Sequence, residues 1–465
     1  MKRLAPLLLL LTPLTLAAEK LTAPQLIALA QSHNPGLRAA IFAAFDPKEI
    51  VAGTAWSGHG PDFFFAVQYA TQPALVIDNN DPISLQQVPK PDGSGPETNL
   101  WYAIARIENV AHLHAFHYQV TGGRYGGILD LPAFGPLSYL LPGVPSGALS
   151  EKLTHTSKIY DGMKSSYWIY VPAQYTPQTP AALMVFQDGG GYANRDDRVI
   201  LSAIDNLIAQ KKIPVMICVF INPGSITSAP GTPTYTQVSA HAARFHRTLD
   251  DAMRSTLYDT VSDRYPRFLR DEILAEVATR YNLRKDAYSR AIAGASSGGI
   301  CSFNAAWQLT GPEAQSGVQS GVQSGAQFSR VLSWIGSFTN IQWKEQADAP
   351  EGGQDYPDKI LREPHRNIRV WLQDGSNDME NPNWGSWPLA NIRMANALKT
   401  RDYDFHLSFG QGTHNGSHGA AEFPAAMTWL WRGYDPTKSE ETFVQDPAEK
   451  KEPYFRVQIT NRSAE

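Results

Sequence analysis

The chain has 465 residues, 43% of them hydrophobic, which is long for one domain and ample for a buried core. Its 40 Lys and Arg against 44 Asp and Glu leave a net charge of −4, which excludes the basic face of a nucleic-acid binder. Only 18% of residues are charged while 11 are Trp and 19 are Tyr, the composition of a folded extracytoplasmic protein and not of a disordered one.

Lys2 and Arg3 form a basic start, an apolar run from Leu4 to Leu16 follows, and Ala17 and Ala18 place small residues before Glu19. This is the pattern of a secretory signal peptide over residues 1–18, too short to span a bilayer. It predicts a periplasmic or secreted mature protein that stays off the membrane. Thr22 and Pro24 then suit the start of a short helix, with Leu26, Leu29 and Ala30 at helical spacing and Asn34-Pro35-Gly36 ending it.

From Phe63 the pattern changes to short strands, among them Phe63–Val67, Ala74–Ile77 and Leu100–Ile104, divided by turn chemistry at Asn79–Pro82 and Pro91–Gly95. Such spacing predicts a small β-sandwich. With its helical lead-in it fills residues 19–145 and closes at Pro142-Gly143-Val144-Pro145.

Beyond it, strands are expected at Tyr167–Val171, Ala182–Phe186, Val215–Phe220, Ala291–Ala293, Val331–Ile335 and Ile368–Leu372. They are nearly continuous apolar runs, and helical stretches separate several of them. One such stretch carries Phe268, Leu269, Ile273, Leu274, Val277 and Tyr281 on a single stripe. Strands of this kind form a mostly parallel sheet covered on both faces, so residues 146–434 read as an α/β domain. Ser316-Gly317-Val318-Gln319 recurs as Ser320–Gln323 and, with one change, as Ser324–Gln327, which reads as a surface insertion. Residues 435–465 form a polar tail, expected to be loosely held. Cys218 and Cys301 read as two buried thiols, with a disulfide the alternative that export would permit.

Gly294-Ala295-Ser296-Ser297-Gly298 matches G-x-S-x-G between a strand and a helix. There the glycines permit a strained turn that lifts a nucleophilic Ser296 above the sheet. Upstream, Asp188-Gly189-Gly190-Gly191 follows a strand. The backbone N–H groups of Gly189 and Gly190, with that of Ser297, are the expected oxyanion donors. An acid should follow a later strand, and both Asp374 and Asp378 stand there. Asp378 lies past the turn, where a loop can reach back to a histidine, whereas Asp374 reads as a turn or sheet-end residue. The base should come last, and Gly412-Thr413-His414-Asn415-Gly416-Ser417-His418 precedes a helix expected from Pro424 to Trp431. The order Ser, Asp, His is that of α/β-hydrolases. His112, His114 and His117 share a β segment without the carboxylates or cysteines that would complete a zinc site. His241 and His246 fall in a Pro- and Thr-rich connection that reads equally as a lid or a surface loop.

Taken together, Tyr258–Tyr265, the Ser296 turn, Leu372–Asp378 and the His414 segment resemble the enterochelin esterase-like (esterase D) family over roughly residues 145–434. That family includes feruloyl and acetyl xylan esterases and mycolyltransferases. The resemblance implies an α/β-hydrolase domain with Ser296 as nucleophile, Asp378 as acid and His414 as base. Pro424 and Trp429 stand ten and fifteen residues after His414, as in the family pattern, and do not fit His418. The preceding β-rich segment is similar to the immunoglobulin-like (E-set) domain of enterochelin esterases. The implied activity is that of an exported serine esterase working through an acyl-enzyme on a small-molecule or glycan-linked ester, carbohydrate, phenolic or siderophore-type. No cofactor, metal or nucleic-acid partner is expected. Acyl transfer by the same residues is the rival within enzymes, and a non-catalytic carbohydrate-binding protein is the rival outside them.

Overall fold

The structure, a computed structural model, describes residues 21–194, 199–225, 249–308, 327–342 and 352–457. The signal-peptide pattern, the His241 and His246 connection and the Ser/Gly/Gln repeat as far as Ala326 lie outside the described residues, as does the chain from 458. The chain divides into two compact units, one running to Glu108 and including Phe116–Ile128, the other comprising Asn109–Ala115 and everything from Leu129.

The first unit opens with three short helices, Ala23–Gln31, Leu37–Ala44 and Pro47–Ala52, of which only the first is legible in the sequence. The first is closed by a capping box of Thr22 and Gln25, the third by one of Asp46 and Glu49. Strands β1 (Ala55–His59), β2 (Asp62–Gln68), β3 (Ala74–Ile77), β4 (Ile83–Ser84), β5 (Gln86–Pro89), β6 (Pro96–Arg106), β7 (His112–Val120) and β8 (Gly123–Ala133) follow. They form two four-stranded sheets, ordered β1-β2-β6-β5 and β4-β3-β7-β8. The run Phe63–Val67 is buried throughout because its two faces have different covers. Phe64 and Ala66 pack with Leu26, Leu37 and Ile41 of the helices, while Phe65 meets Phe116 of the other sheet at 4.9 Å. A β-sandwich with a helical cover is therefore present.

The second unit is built on a sheet of β9 (Ala148–Leu149), β10 (Leu153–Thr156), β11 (Lys164–Val171), β12 (Ala182–Gln187), β13 (Met216–Ile221), β14 (Arg290–Ala295), β15 (Arg330–Trp334), β16 (Arg369–Gly375) and, after a two-stranded β17–β18 hairpin (Glu380–Asn381, Gly385–Ser386), β19 (Asp404–Gly410). Its order is β10-β11-β13-β12-β14-β15-β16-β19, with β9 beside β11. From β13 to β19 every pairing is parallel, and β11 joins antiparallel. Alternation along each strand sorts the core into two layers. Leu183, Val185, Val219, Ile292 and Val370 pack with Ile300, Phe303, Val277 and Leu398 of the helices on one face. Met184, Phe186, Phe220, Ala293 and Leu332 pack with Ile204, Leu207, Phe423 and Met427 of the helices on the other. This is the α/β-hydrolase architecture. Cys218 and Cys301 are buried and unpaired, one in each layer.

Three expectations need correction. Residues 129–145 group with the hydrolase unit and not with the sandwich, because Leu137, Tyr139 and Leu141 bond through their backbones to the buried Asn206 side chain. The helix carrying Pro424 starts earlier, at Ser417, with Pro424 inside it. The segment after Tyr434 is docked rather than loose. Phe443 is buried against the guanidinium groups of Arg330 and Arg369 at 5.1 and 4.4 Å, and Asn396 brackets the Phe455 backbone with bonds of 3.0 and 2.9 Å. A fully buried arginine needs such cover, since an unsolvated charge is otherwise costly.

Candidate active site

Ser296 sits between β14 and the helix Ser297–Gln308 with φ at +58°, the left-handed region that non-glycine residues rarely adopt. Four backbone bonds hold this turn: its N–H donates to the Trp334 carbonyl at 2.9 Å, and its carbonyl accepts from Gly299, Ile300 and Ser337 at 2.9, 3.3 and 3.1 Å. Gly294 is required because a Cβ there would stand 2.3 Å from the Gly298 carbonyl oxygen. The steric demand therefore comes from the turn itself.

The structure brings Ser296, Asp378 and His414 together from three strand ends. His414 Nε2 lies 2.8 Å from Ser296 Oγ, and His414 Nδ1 lies 2.5 Å from Asp378 Oδ1. The Asp378 side chain is fully buried and that of His414 is 19% exposed. Trp387 packs edge-on against His414 at 5.5 Å, and its indole N–H donates to Ser337 Oγ, itself 3.2 Å from Ser296 Oγ. Neither Trp387 nor Ser337 is marked by any motif in the sequence.

The two aspartates of the β16 end differ in their contacts. Asp374 is wholly buried, accepts from Gly375 N and Asn391 Nδ2 at 2.7 Å each, and does not touch His414. Burial first, and the hydrogen bond to Asp378 second, hold its carboxyl well above the usual carboxylate range. Asp378 Oδ2 is itself buried. The two histidines divide as well. His418 lies four residues past His414. It is buried in the first turn of the helix Ser417–Leu430, between Gln373 Nε2 and Glu422 Oε1 at 2.9 Å each. That location removes it from Ser296.

The glycine loop is partly committed elsewhere. The Gly190 N–H donates to Asn222 Oδ1 at 2.7 Å, so Gly190 is not poised as an oxyanion donor. Gly189 packs so closely on β13 that a Cβ would stand 2.1 Å from the Phe220 carbonyl carbon. Ser297 opens its helix, where backbone N–H groups have no intrahelical acceptor. Asp188, at φ +54°, is gripped by Arg254 through bonds of 2.9 and 2.6 Å, a pair that no local pattern announces. Among the described residues no cluster of three or more His, Cys, Asp or Glu could hold a metal, and no helix is long and apolar enough to cross a membrane.

A hydroxyl, an imidazole and a buried carboxylate so ordered can move a proton from Ser296 to His414 and stabilise the resulting imidazolium. A family model described as "Putative esterase" matches residues 162–430, more than half of the chain. No curated protein sequence matches. Among solved structures, the enterobactin esterase from Shigella flexneri shares 14% identity over 81% of this chain and 96% of that one, with a TM-score of 0.47. The ferric enterobactin esterase from Salmonella typhimurium shares 14%, over 81% and 96%, with a TM-score of 0.46. A ferulic acid esterase from Anaeromyces mucronatus, solved with ferulic acid, shares 15% over 65% and 98%, with a TM-score of 0.43.

Proposed function

Because the chain belongs to this esterase family and is an esterase, we propose that it is an exported serine carboxylic-ester hydrolase acting through an acyl-enzyme on Ser296. His414 takes the Ser296 proton as Oγ attacks the ester carbonyl, and Asp378 holds the imidazole in the tautomer this requires. The tetrahedral oxyanion is met by the N–H groups of Ser297 and Gly189. His414 then passes the proton to the departing alcohol, leaving the acyl group on Ser296. Water, deprotonated by His414, attacks that acyl group and returns the serine. The observation that carries this reading is the unbroken contact from Ser296 Oγ through His414 to buried Asp378, at 2.8 and 2.5 Å.

The neighbouring cleft supports an aryl or sugar ester as substrate. A cavity of about 540 Å³ is lined by Phe338, Asn340, Gln354, Trp384, Leu389 and Arg393, next in sequence or space to Ser337 and Trp387. Aromatic faces mixed with amide and guanidinium groups suit an aryl or sugar ester better than a plain fatty ester. Export rests on the pattern of residues 1–18. Purified protein lacking those residues, mixed with a panel of aryl, sugar and fatty esters, should release alcohol in a burst before steady turnover of the aryl or sugar members. Binding of a sugar ester without release of either product would contradict the proposal.

A further inference from the structure

The residue immediately before His414 is held by a carboxylate far away in the sequence. Asp130 lies in the part of β8 that belongs to the hydrolase unit. Its Oδ1 accepts from the Thr413 backbone N–H at 2.8 Å, and its Oδ2 accepts from the Thr413 hydroxyl at 2.5 Å. The same hydroxyl accepts from Asn415 Nδ2 at 3.2 Å. Thr413 is therefore tied directly to the Asp130 carboxylate, through a charge-assisted pair of bonds that fixes the position and rotation of its peptide, and Asn415 is tied to Thr413.

The segment leading up to Thr413 is fixed too. Ser376 and Asn377 of the acid loop donate through their backbones to the carbonyls of Gly410 and Gly412, and Asn377 Nδ2 donates to the Gln411 carbonyl at 2.6 Å. These bonds set the spacing of residues 410–412 from Asp378. They do not reach Thr413, the last residue before the imidazole, and Asp130 does.

We propose that Asp130 is a positioning residue for His414, an assignment that rests on the hydrolase reading above. It touches neither substrate nor reacting atoms. It acts by keeping Nε2 within hydrogen-bond reach of Ser296 Oγ, where a displacement of about 1 Å is enough to lose on the order of a hundredfold in rate.

The test is kinetic, on the full mature chain and one small aryl ester. Asp130→Ala should lower kcat by roughly ten- to a hundredfold with KM within about threefold, because binding groups are untouched. Thr413→Val keeps the backbone bond and should lose less, and the double variant should be no slower than Asp130→Ala alone. In a His414→Ala background, Asp130→Ala should leave the residual rate unaltered, since its effect passes through that imidazole. A full-rate Asp130→Ala enzyme overturns the inference, as does a loss of equal size in the His414→Ala background. Should Asp130→Ala fail to fold, Thr413→Val in the same two backgrounds decides by the same criteria. A parent protein without activity would instead overturn the hydrolase reading itself.

Discussion

Asp374 and Asp378 stand four residues apart, both buried, and differ in what they touch. Asp374 keeps its proton in the folded chain at pH values where the unfolded chain, with a carboxyl near 3.9, has lost it. A raised folded value stabilises fully below the unfolded one and is lost as pH climbs towards the folded one. The Asp374→Asn variant lacks this titration, so its melting temperature relative to the parent should rise as the pH climbs above about 4. A difference that stays constant with pH would show that Asp374 is ionised in the fold. Its turnover should stay within about tenfold of the parent, whereas Asp378→Asn should lose roughly 10⁴-fold through the wrong His414 tautomer. At the histidines, His414→Ala should abolish hydrolysis. His418→Ala should instead destabilise by about 1–3 kcal/mol, by orphaning Gln373 and Glu422, and keep most of its rate. Comparing melting and turnover of the two variants separates these outcomes.

Each residue of the proposed triad lies where an element ends, which is why a linear reading could reach it. Ser296 follows β14, Asp378 follows β16 and His414 follows β19, and parallel neighbours bring those ends to one edge. The glycines of the elbow belong to the same local logic. Gly294→Ala should drop activity by more than about tenfold and stability by roughly 1–3 kcal/mol, since its Cβ would meet the Gly298 carbonyl. Gly191→Ala, with open space around its position, should change stability by less than about 0.5 kcal/mol. Equal losses in both variants would place the constraint elsewhere. What the sequence hides are the tertiary ties. Asp130 is 283 residues from Thr413 and Arg254 is 66 from Asp188, and no periodicity or spacing signals an acid whose partner is so distant. Gly190 misleads for a related reason, because the Asn222 side chain that takes its N–H arrives from beyond the next strand.

On the scale of the whole chain, the composition predicts a large apolar core but not how its edges are closed. The stretch after Tyr434 looks like tail because it is rich in Lys and Glu. Yet Phe443 completes an aromatic cover over Arg330 shared with Tyr288, Trp431 and Tyr434. Ending the chain at Tyr434 should therefore lower the melting temperature by roughly 3–12 °C, from the loss of one buried aromatic side chain. An unchanged melting temperature would mean that the segment is not docked. A chain beginning at Leu153 lacks Asp130 and the backbone partners of Asn206, so it should be slower on small esters than one that retains residues 109–152.

The roles of His414, Asp378 and Asp130 all depend on Ser296 being the nucleophile. The direct measurement is turnover of one small aryl ester by the parent and by Ser296→Ala, with the same proteins treated with a fluorophosphonate and the adduct located by mass spectrometry. With Ser296 as nucleophile, the variant should lose roughly 10⁴- to 10⁶-fold in rate, and the adduct should sit on Ser296 of the parent alone. An active Ser296→Ala enzyme, or an adduct that persists in it on Ser297 or Ser337, would contradict that role.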